Sequence, residues 1–153
     1  MYDAAKKKIL LLVEGEKRDV AVMESLFKWY PELSDRYQIV PYRANIYKLY
    51  HALSMDDDSQ EEYDLLQTLK ANEPNPEKKK IFDEKYTDIL LVFDLDPQDT
   101  KFSEDKIRKM QTYFRESTDM GKLYLNYPMI EAFYHMRTIP DPDFSDRKVC
   151  IQE

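Results

Sequence analysis

Two short apolar runs, each broken off by acid, constrain the fold of this chain more than any other feature. Ile9-Leu10-Leu11-Leu12-Val13 leads directly into Glu14-Gly15-Glu16, and Ile89-Leu90-Leu91-Val92-Phe93 into Asp94-Leu95-Asp96. An unbroken apolar run of this length, closed by a turn signal, reads as a strand buried on both faces, as in parallel sheets covered by helices. Ligands of such sheets bind beyond the carboxyl ends of the strands. If the two strands are neighbours, Glu14, Asp94 and Asp96 meet in one crevice. Three carboxylates there need a cation to offset their mutual repulsion.

Length and charge narrow the classes. A chain of 153 residues is long enough for one domain with a real core and too short for two comfortable ones. The 30 acidic and 23 basic residues leave a net charge of -7, which excludes a globally basic nucleic-acid footprint but not a metal-bridged one. Cys150 is the single cysteine, so there is no internal disulfide framework, and two histidines, His51 and His135, are too few for a Cys/His zinc site. The amino-terminal apolar run falls far short of the ~20 residues that span a bilayer. No small-residue cleavage site follows it, so the chain reads as cytoplasmic, with no membrane partner.

Glycine usage removes further classes. Only Gly15 and Gly121 are present, which excludes a Walker loop, a dinucleotide-binding glycine turn and a kinase glycine-rich loop. Gly15 lies between a strand and an amphipathic stretch carrying Val20, Met23, Phe27 and Tyr30. It is expected to make the tight turn that presents Glu14.

The rest of the chain reads as an αβ succession. Residues 37–42 form a second strand placed toward an edge, because Pro41 cannot donate to a ladder. Ile46, Leu49, Tyr50 and Leu53 recur at helical spacing, with His51 an ordinary residue on the flank of that helix. A helix is expected over 56–72, started by Asp56-Asp57-Asp58 and ended by Glu73-Pro74-Asn75-Pro76. The acidic triplet lacks the glycine and the spaced ligands of a calcium loop. Lys78-Lys79-Lys80 reads as a solvated basic face. Ser103 is the N-cap of a helix carrying Ile107, Met110, Tyr113 and Phe114 and stopping near Ser117. Gly121 opens a strand over 122–127. Pro128 then fits the first turn of a helix in which Glu131 is favoured by the helix dipole and shares a face with His135.

The chemistry rests on the acidic strand ends. Alternation along a strand would point Asp94 and Asp96 to one side and Leu95 to the other. Mg2+ prefers oxygen and is commonly held by one or two carboxylates together with waters and substrate phosphates, which suits Asp94 and Asp96. Glu14, arriving from another strand, could complete the metal site or act as general acid or base on phosphoester oxygens.

Val13-Glu14-Gly15-Glu16 after an amino-terminal strand, with Asp94-Leu95-Asp96 after a later one, resembles the toprim domain of topoisomerases, bacterial primases and small nucleases. The similarity is closest to OLD-family and RloB-like nucleases. That resemblance implies a Rossmann-like α/β fold with a mostly parallel central sheet flanked by helices. It also implies a phosphoryl-transfer site dependent on Mg2+ or Mn2+, formed by Glu14, Asp94 and Asp96 and acting on DNA or RNA. Tyr127-Pro128-Met129-Ile130-Glu131-Ala132-Phe133 resembles the proline-plus-glutamate helix start of RloB-like proteins, which makes Glu131 a secondary metal-ligand candidate. The stretch from Gly15 to Asp94 is longer than a minimal toprim core, implying a helical insertion around 46–82.

The expectation is therefore a single toprim-like domain over 1–153 with the activity of a metal-dependent nuclease, in phage defence or nucleic-acid processing. The break at Pro140-Asp141-Pro142-Asp143, followed by the start of another element, suggests the amino-terminal part of a longer protein. Two other readings stay open. One is a non-catalytic toprim-like module that binds nucleic acid, a partner protein or a second copy of itself. The other is a phosphotransfer protein of receiver or haloacid-dehalogenase type, since Phe93-Asp94-Leu95-Asp96 followed by Asp99-Thr100 is similar to a dehalogenase nucleophile loop.

Overall fold

The computed structural model describes residues 8–127 and Pro142. Glu131, His135 and Cys150 lie outside the described residues, as does the helix expected after Pro128. Both acid-terminated apolar runs are strands, β1 (Ile9–Val13) and β3 (Asp88–Asp94). They are parallel neighbours, with Leu12 opposite Leu91 and Val13 opposite Val92. β2 (Tyr37–Pro41) pairs with the other side of β1, and β5 (Gly121–Asn126) with the other side of β3, both in parallel. A two-residue strand, β4 (Arg115–Glu116), runs antiparallel to β5 and completes a sheet of order β2-β1-β3-β5-β4. The protein is thus α/β with a five-stranded, mostly parallel sheet. β2 is an edge, as Pro41 requires.

The strand order places a switch point in the sheet. The chain leaves β1 toward β2 on one side and resumes on the other side of β1 with β3. The crevice between the carboxyl ends of β1 and β3 is where an open parallel sheet binds ligand.

One face of the sheet carries most of the core. Leu10, Leu12, Leu91, Phe93 and Leu123 pack there against the helices α3 (Ile46–Ala52), α4 (Leu65–Asn72) and α6 (Glu104–Tyr113). The helical segment over 46–82 is integral to this core. It supplies ten of the nineteen buried residues of the cluster, among them Tyr47, Leu49 and Met55, each with no exposed surface. On the opposite face lies α1 (Arg18–Lys28), tied to the sheet edge by Phe27, whose ring sits 4.3 Å from that of Tyr37. The apolar stripe expected of α1 is only half-buried, and Tyr30 beyond its end is exposed. Two short helical turns, α2 (Pro31–Ser34) and α5 (Pro76–Lys79), fill connections.

Two helix boundaries depart from the sequence reading. The helix expected from Asp56 starts at Leu65, because Asp64 is the true N-cap: its side chain accepts the N–H of Gln67 at 2.9 Å. Asp57 instead closes a local turn by accepting the N–H and hydroxyl of Ser59 at 2.9 and 2.6 Å. A short acidic side chain can satisfy either kind of N–H, which is why composition alone misplaces the start. Ser103 caps α6 as expected, but the helix stops at Tyr113 rather than near Ser117. Phe114 leaves helical geometry to bury its ring, and the chain passes into β4. Gly121 opens β5 with a φ of +114°, and a Cβ there would lie 2.9 Å from Leu91 Cδ1, so only glycine fits. Among the described residues no helix is long and apolar enough to cross a membrane.

Candidate functional site

β1 and β3 end side by side, and their acids meet. Glu14, the first residue past β1, turns its carboxylate to the neighbouring strand and accepts the backbone N–H of Asp94 at 2.8 Å. Asn126, at the end of β5 and opposite Asp94 in register, directs its side-chain amide to the Asp94 carboxylate at 3.4 Å. Asp94 therefore sits at the centre of three parallel strand ends. Gly15 follows the bend at Glu14, and its N–H is capped by the Asp19 carboxylate. A Cβ on Gly15 would lie 2.8 Å from that carboxylate, so the glycine serves the close approach of Asp19 rather than a left-handed backbone.

Asp96 occupies a different setting from the one strand alternation predicts. β3 stops at Asp94, and Asp96 lies in the loop beyond it. Pro97 has no N–H to extend a ladder and restricts the residue before it, so regular alternation ends there. The Asp96 carboxylate instead accepts the N–H of Gln98 at 3.2 Å, closing a turn. Asp99 in the same loop accepts the N–H of Lys101 at 2.8 Å and the side-chain amide of Asn45 at 3.0 Å.

The turn after β2 is fastened to the end of β1. Tyr42 and Arg43 donate their N–H groups to the carbonyls of Val13 at 2.7 Å and Glu14 at 2.9 Å, prolonging the β1–β2 ladder past the strand ends. Arg43 is held at a φ of +65°, in the left-handed region, and its guanidinium pairs with Glu16 at 3.1 Å. Asn45 caps α3 by accepting the N–H of Lys48 at 3.0 Å. Tyr47, fully buried, donates its hydroxyl to the carbonyl of Asp96 at 3.2 Å. Burial pushes its hydroxyl up to about 12, aided by the negative charges of Asp96, Asp99 and Glu14, so Tyr47 stays a neutral donor.

Glu14 and Asp94 are thus brought together, while Asp96 lies two residues beyond β3 with its carboxylate on the Gln98 N–H. Among the described residues no three His, Cys, Asp or Glu side chains are grouped to hold a metal ion as they stand. The chemistry of the donor set still fits a hard divalent cation, which commonly takes one or two carboxylates and completes its shell with water and phosphate oxygens. Asn45, Tyr47 and Asn126 carry no site role in the sequence reading, and Asp99 enters it only in the dehalogenase-like alternative. Asn45 alone carried a local signal, a side-chain acceptor just before the apolar spacing of α3.

Comparison of the chain with protein-family models, with curated proteins and with solved structures finds no match in any of the three.

Proposed function

We propose that this protein is a metal-dependent phosphoryl-transfer enzyme, a toprim-type nuclease acting on DNA or RNA. The observation that carries the reading is the meeting of Glu14 and Asp94 at the switch point of a parallel sheet, the place where such sheets bind ligand. Asp94 and Asp96 are the residues to hold Mg2+ or Mn2+, with Glu14 as third ligand or proton acceptor. Such an ion neutralises charge on the attacking and leaving oxygens of an in-line displacement. In this reading Glu14 handles the proton of the attacking water, and Asn126 orients the Asp94 carboxylate. The test is cleavage of labelled DNA and RNA oligonucleotides with Mg2+ or Mn2+. Asp94→Asn should abolish cleavage, and undiminished cleavage by that variant would refute the assignment.

A second reading, a non-catalytic binding module, is favoured by the same hydrogen bond: a glutamate that ties two strand ends together has a structural use without any ion. Under that reading the folded protein binds nucleic acid or a protein partner but shows no cleavage and no response to either ion.

A further inference from the structure

We infer that Asn45 and Tyr47, at the start of α3, are positioning residues that set the distance between the two acidic strand ends and thereby the affinity of the site for its metal ion. The inference rests on the metal-dependent reading above.

The loop after β3 is the part of the site that the sheet does not hold. Among the described residues, the N–H of Leu95 carries the β3–β5 pairing one bond past the strand, donated to the Asn126 carbonyl at 2.9 Å. Beyond it the loop closes on itself: the N–H of Asp99 reaches the Asp96 carbonyl at 3.2 Å, and that of Phe102 reaches the Asp99 carbonyl at 3.0 Å. Among the described residues, three of its side-chain tethers come from the start of α3. Tyr47 grips the Asp96 carbonyl, Asn45 grips the Asp99 carboxylate, and the Tyr47 ring meets that of Phe102 edge-on at 6.3 Å.

The same short stretch also holds the other acidic end. The N–H of Arg43, two residues before Asn45, is bonded to the Glu14 carbonyl. Residues 43–47 therefore touch Glu14 on one side and Asp96 and Asp99 on the other, and the buried start of α3 fixes their separation. Groups that orient metal-ligating carboxylates from behind typically change metal affinity by about 10–100-fold when removed.

Tyr47→Phe deletes the hydroxyl and keeps the buried ring. Asn45→Ser keeps a helix-capping oxygen and removes the amide that reaches Asp99. The experiment measures Mn2+ binding by titration calorimetry and cleavage against Mn2+ concentration for the wild-type chain and both variants, with thermal denaturation alongside. The expected result is a half-saturating Mn2+ concentration raised about tenfold in each variant. Cleavage should return to the wild-type rate at saturating Mn2+, a rescue that general destabilisation would not give. Active variants with wild-type Mn2+ dependence would overturn this inference and leave the nuclease reading standing. A wild-type chain that neither cleaves nor binds Mn2+ would overturn both.

Discussion

The Glu14 carboxylate accepts the backbone N–H of Asp94 at 2.8 Å, so the acid that closes one strand is fastened to the acid that closes its parallel neighbour. This bond separates structural from chemical roles at Glu14. Glu14→Gln keeps an acceptor for the N–H, whereas Glu14→Ala removes it. Loss of that acceptor should cost about 1–2 kcal/mol of stability. Chemical denaturation should therefore show Glu14→Ala destabilised and Glu14→Gln close to wild type, while cleavage is lost in both.

Ser54 offers a stabilising change remote from the site. It follows α3 with a φ of +58°, its N–H bonded to the His51 carbonyl at 2.9 Å, and the N–H of Met55 bonded to the Tyr50 carbonyl at 3.1 Å. That is the helix ending that glycine favours. Ser54→Gly should stabilise the protein by about 0.5–1 kcal/mol, because the left-handed backbone is unfavourable for serine but glycine is looser when unfolded. Thermal denaturation should show a rise of a few degrees in Tm.

Gly121 is the opposite case. A methyl group there meets Leu91 Cδ1 at 2.9 Å and Ile89 Cγ2 at 3.2 Å, on a backbone with a φ of +114°. Gly121→Ala should cost about 3 kcal/mol, read as a shift in the denaturant midpoint at unchanged slope.

High pH should weaken the fold through Tyr86. Its hydroxyl donates to the Ile81 carbonyl at 2.7 Å, and burial, with Glu84 adding to it, pushes the group up to about 12. The folded state therefore keeps its proton in a range where the unfolded chain, near 10, has lost it. The contribution is full below pH 10 and declines as the pH rises toward about 12. Stability measured across that range should fall less steeply in Tyr86→Phe than in the wild type.

The sheet was legible because its signals are local. Five apolar residues before Glu14, the run before Asp94, the proline that sends β2 to an edge and the glycine that opens β5 all state their roles without a partner. The neighbouring of β1 and β3 had to be assumed, and with it the meeting of Glu14 and Asp94. Asp96 lies two residues past the end of β3 and just before Pro97, where strand alternation no longer describes the backbone and the carboxylate caps a turn at Gln98. Asn45 and Tyr47 were passed over because their partners lie about fifty residues away, and pairings of that range follow from packing rather than periodicity. The segment over 46–82 supplies about half of the buried residues of the main cluster, a packing role that periodicity alone does not report.

Titration calorimetry with Mn2+ tests the central claim most directly, because it reports on the acidic strand ends without a choice of substrate. Binding by the wild-type chain at millimolar Mn2+ or below, abolished in Asp94→Asn and accompanied in the wild type by a rise in Tm, is the predicted result. No heat and no Tm shift at millimolar ion in a folded wild-type chain would contradict it.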